Sequence, residues 1–233
     1  MNFFAITGVC VVGILLSFGA GSAEKTPDVF NTSENIWNGT WASDAYTLYI
    51  QQDNSVISGA YEPENLTLLD PGLLKGNISK DGGIFSGTWT ETGPLKVVIS
   101  DDKMSYSGTG GVRPDDNLNG SGNYTVKATR VESSFDPENI WTGTWKTPRS
   151  TNMWTQNGTV VVGSYEPLPG IGDEPGIFEG SVSEDGKTIS GRWTETGNFS
   201  FMISDDHSHF NGTYDIAQNI SAGSGTWNGT KLS

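Results

Sequence analysis

The chain has 233 residues, a formal net charge of −14, 31 glycines and a single cysteine. Such an acidic protein repels phosphate backbones and anionic lipid surfaces, which argues against nucleic acid as a partner. The cysteine, Cys10, lies in the N-terminal apolar segment. The rest of the chain therefore has no disulfide, thiol nucleophile or cysteine metal site.

The first 23 residues contain no charged side chain and end in Gly21-Ser22-Ala23. Small residues after an apolar run are typical of a secretory signal, so residues 1–23 are predicted to be a cleaved signal peptide. An uncleaved membrane anchor is the alternative, because the apolar run from Phe3 to Ala20 approaches the ~20 residues that span a bilayer. We therefore expect a secreted or cell-surface protein.

The rest of the chain is a tandem repeat, in which Asn35–Thr109 aligns without a gap with Asn139–Thr213. The shared motifs include W-x-G-T-W, Y-E-P, W-T-E-T-G and I-S-D-D. Agreement of this kind indicates duplication. The linker falls around Val131–Pro137, and two domains are predicted at 33–132 and 137–233, each with its own core.

Apolar residues alternate with period two inside each repeat, which predicts strands and no helix. The predicted strands of the first repeat are 36–42, 46–52, 55–62, 73–79, 84–91, 95–100, 104–110 and 120–127. Turn residues separate them, among them Asp81-Gly82-Gly83 and Thr92-Gly93-Pro94. The expected fold is all-β: two tandem antiparallel meander barrels of about eight strands each. Two open blades or a sandwich are the alternative, because strand order does not prove closure.

Eleven Asn-x-Ser/Thr sequons give an independent signal for the outer face. They are Asn31, Asn38, Asn65, Asn77, Asn119, Asn123, Asn157, Asn198, Asn211, Asn219 and Asn228. Each strand sequon is out of phase with the aromatic and glycine positions, so the aromatic residues are predicted to face the core and the asparagines solvent. We expect N-glycosylation; a merely polar strand composition is the alternative.

Three elements in each repeat resemble the avidin and streptavidin family of calycin-type barrels. In the first repeat they are Gly39-Thr40-Trp41, Gly59-Ala60-Tyr61-Glu62 and Gly87-Thr88-Trp89, and all three recur in the second. The resemblance implies an eight-stranded meander barrel with a small-ligand pocket. The later Trp-x-Gly element and the terminal aspartate of avidins are not recognisable here.

The candidate ligand-binding residues follow from the inward phase of these elements. They are Trp41, Tyr61, Trp89 and Glu91 in the first repeat, and Trp145, Tyr165, Trp193 and Glu195 in the second. The alternative is that the tryptophans and glycines only pack the core. Glu91 and Glu195 are predicted at a strand end, on a barrel rim. One carboxylate per barrel does not suffice for two-carboxylate glycoside hydrolysis unless the barrels face each other.

No catalytic constellation, metal site or cofactor is predicted. The only histidines, His207 and His209, lie in one predicted turn. Asp115–Gly120 matches only the first half of a calcium loop. Secretion, dense sequons and acidity predict a non-enzymatic glycoprotein, of archaeal surface type, with a structural or adhesive role in the envelope. Its partners would be envelope components; the alternative is a module with a small apolar or carbohydrate ligand in each barrel.

Overall fold

A computed structural model describes residues 35–65, 69–118, 123–171, 173–216 and 224–233. The predicted signal segment and the sequon residues Asn31, Asn119 and Asn219 lie outside these ranges. Within them the secondary structure consists of strands and turns, which confirms the all-β prediction. The described residues include no helix of the length and hydrophobicity needed to cross a membrane.

In the described residues each repeat supplies seven strands, one fewer than predicted. The first repeat forms β1 (Gly39–Ala42), β2 (Tyr46–Asp53), β3 (Val56–Pro63), β4 (Gly72–Ile78), β5 (Ile84–Ile99), β6 (Ser105–Gly110) and β7 (Tyr124–Arg130). The second forms β8 (Gly143–Lys146), β9 (Ser150–Asn157), β10 (Val160–Pro167), β11 (Gly176–Val182), β12 (Thr188–Ile203), β13 (His209–Asp215) and β14 (Ser224–Lys231).

The missing strand is explained by β5, which runs without a break through the predicted turn at Thr92-Gly93-Pro94. Pro94 has no N–H to donate. Its carbonyl accepts from the N–H of Gly111 at 2.9 Å. The carbonyl of Gly111, which lacks a donor from Pro94, accepts instead from Trp193 Nε1 at 2.9 Å. This indole replaces the missing backbone donor, and the strand continues as a 16-residue element.

All 14 strands are antiparallel and close into a ring, with β1 paired to β14. One further pairing crosses the ring, because β5 and β12 pair along almost their whole length, from Ile84↔Met202 to Val98↔Thr188. This pairing divides the ring into two circuits of eight strands. The first circuit contains β1–β5 and β12–β14, and the second contains β5–β12.

Two hydrophobic cores follow the circuits and not the repeats. The first core combines Trp37, Trp41, Phe85 and others of the first repeat with Phe199, Phe201 and Phe210 of the second. The second core combines Leu95, Val97 and Tyr106 of the first repeat with Trp141, Trp145, Trp193 and others of the second. The expectation that each repeat encloses its own core is therefore wrong. Each core instead draws strands from both repeats.

The predicted inward and outward faces are observed. Trp37, Trp41, Trp141 and Trp145 are fully buried. In β5, buried or half-buried residues alternate with more exposed ones from Phe85 to Ile99 without a change of phase. The same face of β5 therefore lines both cores. Its N-terminal part, with Phe85 and Trp89, lines the first core, and its C-terminal part, from Leu95 to Ile99, lines the second.

The two cores differ in polarity at corresponding positions. Leu48 of the first core is replaced by Asn152, whose Nδ2 donates to Tyr106 Oη at 2.7 Å. Ile50 is replaced by Trp154, whose ring stacks between Tyr106 and Phe178 at centroid distances of 4.9 and 5.1 Å. Among the described residues, the indole nitrogen of Trp154 is the one fully buried side-chain polar atom without a hydrogen-bond partner.

A carboxyl cluster at the junction of the two circuits

Glu91 and Glu195 meet at the centre of the β5–β12 ribbon, where they are direct Cα partners. Each of the two residues is only 8% exposed. The W-T-E-T-G motifs pair antiparallel with each other, so that Trp89 lies opposite Gly197 and Trp193 opposite Gly93. The predicted position of both glutamates on an open rim is wrong, because the strand that was expected to end there continues into the other circuit.

Two tyrosines hold these carboxyl groups in place. Tyr61 on β3 donates from Oη to Glu91 Oε1 at 2.9 Å. Tyr165 on β10 donates in the same way to Glu195 Oε1 at 2.7 Å. The two bonds are related by the repeat, which shows that both halves of the chain build the same arrangement around one centre.

Aromatic rings shield Glu91 from water on the side of the first circuit. Tyr46 and Trp227 pack against Tyr61 with ring centroids 5.3 and 5.1 Å away. Burial is accordingly the main cause that raises the pKa of Glu91 to about 8, with Asp70 and Glu174 adding to the rise and the Tyr61 hydrogen bond opposing it. The carboxyl group is therefore largely protonated at neutral pH.

Two further acidic residues complete the cluster. Asp70 and Glu174 occupy corresponding positions in the loops before β4 and β11. Burial, reinforced by Asp173, raises the pKa of Asp70 to about 6. Burial also raises the pKa of Glu174. We define the carboxyl cluster as Asp70, Glu91, Glu174 and Glu195.

Glu195 has its pKa raised well above the ordinary range, chiefly by burial and then by its acidic neighbours, foremost Glu91. Two carboxyl groups this close cannot both ionise cheaply, so the pair titrates as a unit and retains at least one proton over a wide pH range. The chemistry available to the cluster is the storage and sharing of protons.

Three of these carboxyl groups could together ligate a hard cation. One carboxyl oxygen from each of Asp70, Glu91 and Glu195 lies within 4.8 Å of the other two. Oxygen ligands of this kind suit Ca²⁺. Binding would require the two glutamates to give up protons that burial makes hard to remove.

The same geometry does not fit glycoside hydrolysis. Carboxyl pairs in glycosidases are about 5–5.5 Å apart in retaining enzymes and about 6.5–9.5 Å in inverting ones. One carboxyl oxygen of Glu91 lies within 4.8 Å of one of Glu195, so the burial of the two groups, more than their spacing, argues against this chemistry. Neither side chain is accessible enough to hold a sugar between them.

Of the eight predicted ligand-binding residues, the structure brings six together around the junction: Tyr61, Trp89, Glu91, Tyr165, Trp193 and Glu195. Trp41 and Trp145 instead lie within the cores, where their indole N–H groups donate to the carbonyls of Trp37 and Trp141. Asp70 and Glu174 were not predicted. Their signal is a duplicated acidic-Pro-Gly sequence, Asp70-Pro71-Gly72 and Glu174-Pro175-Gly176.

Two open depressions of about 510 and 490 Å³ lie along β12–β14 and along β6–β8, respectively. The first is lined by Asn198, Thr213, Thr226 and neighbours, and the second by Ser107, Lys127, Lys146 and neighbours. Neither contains any of the eight predicted ligand-binding residues. Comparison with family models, curated proteins and solved structures finds no match to this chain.

Proposed function

We propose that this protein is a secreted or cell-surface N-glycoprotein, of archaeal surface type, with a structural, non-enzymatic role in the envelope. One observation carries the proposal: seven of the eight described sequon asparagines are exposed, and the eighth, Asn123, is half-buried. The exposed ones are Asn38, Asn65, Asn77, Asn157, Asn198, Asn211 and Asn228. Glycan attachment requires this exposure.

The scaffold behind these asparagines is suited to carry them. We propose that each circuit of eight strands closes into its own barrel, which leaves few free strand edges for aggregation. Asn77, Asn211 and Asn228 lie within strands, on the face opposite to the buried aromatic residues. Attached glycans would therefore leave both cores undisturbed.

The alternative, a small ligand held among the tryptophans, requires space that these side chains fill. Trp37 and Trp41 are fully buried and pack with centroids 5.9 Å apart. In the second core Trp154 stacks against two rings. Close packing of this kind supports a structural role for the tryptophans.

Glycopeptide mapping of the protein isolated from its native host tests the proposal. We expect hexose-containing modifications on peptides with the exposed sequons. Asn54 is a matched control, because it is exposed but has Val56 two positions later and forms no sequon. Unmodified peptides at all seven exposed sequons, or recovery of the chain from the cytoplasm, would refute the proposal.

A further inference from the structure

We propose that the two repeats are the two subunits of a fused twofold dimer, held together by an interface that does not depend on the covalent linker. The partner of each repeat, 33–132 or 137–233, is the other repeat. This inference does not rest on the glycoprotein proposal; it rests on strand register, hydrogen bonds and core composition.

The first support is the self-complementary register of W-T-E-T-G. When the motif pairs antiparallel with a copy of itself, the central glutamates coincide, threonines face threonines, and each tryptophan faces a glycine. A Cβ atom added at Gly93 would collide first with Gly111 O and then with Trp193 Nε1. One added at Gly197 would collide with Asp215 O and Trp89. Each glycine thus leaves room for the indole of the other repeat and for the carbonyl that accepts its hydrogen bond. A sequence that fits its own copy in this way is what a twofold interface requires.

The second support is a reciprocal set of hydrogen bonds between the repeats. Thr92 Oγ1 donates to the carbonyl of Trp193 at 2.5 Å, and Thr196 Oγ1 donates to the carbonyl of Trp89 at 2.7 Å. The indole N–H of Trp89 donates to the carbonyl of Asp215 at 2.9 Å. Its counterpart on Trp193 donates to Gly111 at the same distance.

The third support is the exchange of aromatic side chains. Phe85 of the first repeat contacts Phe199 of the second with centroids 4.6 Å apart. Tyr106 of the first repeat contacts Trp145 of the second at 5.1 Å. A repeat without its partner would expose half of each core together with the free edge of a 16-residue strand, and both would favour association.

The experiment cuts the linker in the folded chain. A protease site is inserted between Ser133 and Ser134, both exposed and outside the strands. After complete cleavage, verified under denaturing conditions, we expect size-exclusion chromatography with light scattering to give the mass of the uncut chain. We expect the same after unfolding in urea and refolding of the mixed fragments. Two separate half-mass species would overturn the proposal, because each repeat would then be complete alone.

A double variant and a control variant test whether the β5–β12 pairing holds the two fragments together. The double substitution Thr92→Val and Thr196→Val removes the two hydroxyl-to-carbonyl hydrogen bonds described above and the contact of Thr92 Oγ1 with Thr194 Oγ1 at 3.2 Å, but not the strand pairing. In the cleaved protein it should raise the dissociation constant of the fragments at least about tenfold. Thr213→Val is the control, since Thr213 is exposed and pairs within its own repeat. Equal dissociation constants for the double variant and the control would overturn the proposed interface.

Discussion

The substitution Glu91→Gln should reduce the pH dependence of folding stability. In the folded protein burial raises the pKa of Glu91 from 4.5 to about 8. Between these two pH values the unfolded chain releases the proton and the folded chain keeps it. The stabilisation of the folded state by protonated Glu91 is therefore complete below pH 4.5 and is lost as the pH rises towards 8.

The magnitude follows from the width of this interval. Each pH unit removes about 1.4 kcal/mol, so the loss is on the order of 3–5 kcal/mol across the interval. Glutamine keeps the Oε1 acceptor for Tyr61 but cannot ionise. We expect the variant and the natural protein to be similarly stable near pH 4, and the variant to be more stable near pH 8. Some slope remains, because the raised pKa values of Asp70, Glu174 and Glu195 contribute in the same direction.

Urea unfolding followed by tryptophan fluorescence, at pH values from 4 to 9 with EDTA present, measures the effect. The control is Glu179→Gln, on the exposed outer face of β11. Parallel pH profiles for Glu91→Gln and the natural protein would refute the reasoning. In that case the carboxyl group would be solvated in the folded state, contrary to its 8% exposure.

Three further predictions concern other buried polar groups. Tyr61→Phe removes the hydrogen bond that lowers the pKa of Glu91, so the pH at which stability is lost should move upward; an unchanged or lower midpoint in the same urea series would contradict this. Trp141→Phe should destabilise the fold by at least about 1 kcal/mol more than Trp154→Phe. The Trp141 indole donates to Gly186 O at 3.0 Å, whereas the Trp154 indole has no acceptor. Equal urea midpoints for the two variants would contradict this prediction. Arg130→Met should lower the free energy of unfolding by about 2–4 kcal/mol and should lower the melting temperature more than Lys231→Met does. Arg130 donates to three carbonyl groups, whereas Lys231 donates to one, Ile36 O. The reverse order of melting temperatures would contradict this prediction.

The sequence predicted which residues face inward more reliably than it predicted where strands end. Period-two alternation depends on burial alone, and it correctly separated Trp37 and Trp89 from Asn77 and Asn211. The alternation also continues in phase from Phe85 to Ile99, which was the available signal for one long strand. Gly93 and Pro94 concealed it, since both are typical of turns. The strand can continue through them because the Trp193 indole supplies the hydrogen bond that Pro94 cannot donate, and Trp193 lies about 100 residues away in the sequence.

The exchange of half-repeats could not be predicted from the same pattern. Because the repeats are homologous, β5 buries a similar side-chain face whether its edge pairs with its own repeat or with the other. The carboxyl cluster was missed for a related reason. Glu91 and Glu195 were identified as inward residues, but their meeting depends on the exchange, and so does the position of Asp70 and Glu174 beside them.

The order of the strands along the chain has a consequence for synthesis. The second circuit is built from one continuous segment that ends within β12, whereas the first needs both ends of the sequence, because Trp41 on β1 pairs with Lys231 on β14. Contacts between neighbouring segments form sooner than contacts between distant ones. As the polypeptide elongates, β5–β12 can therefore fold before β13 and β14, the partners that complete the circuit of β1–β4, have been synthesised. The earliest strands to be made are among the last to be completed, and their aromatic residues stay exposed throughout that delay.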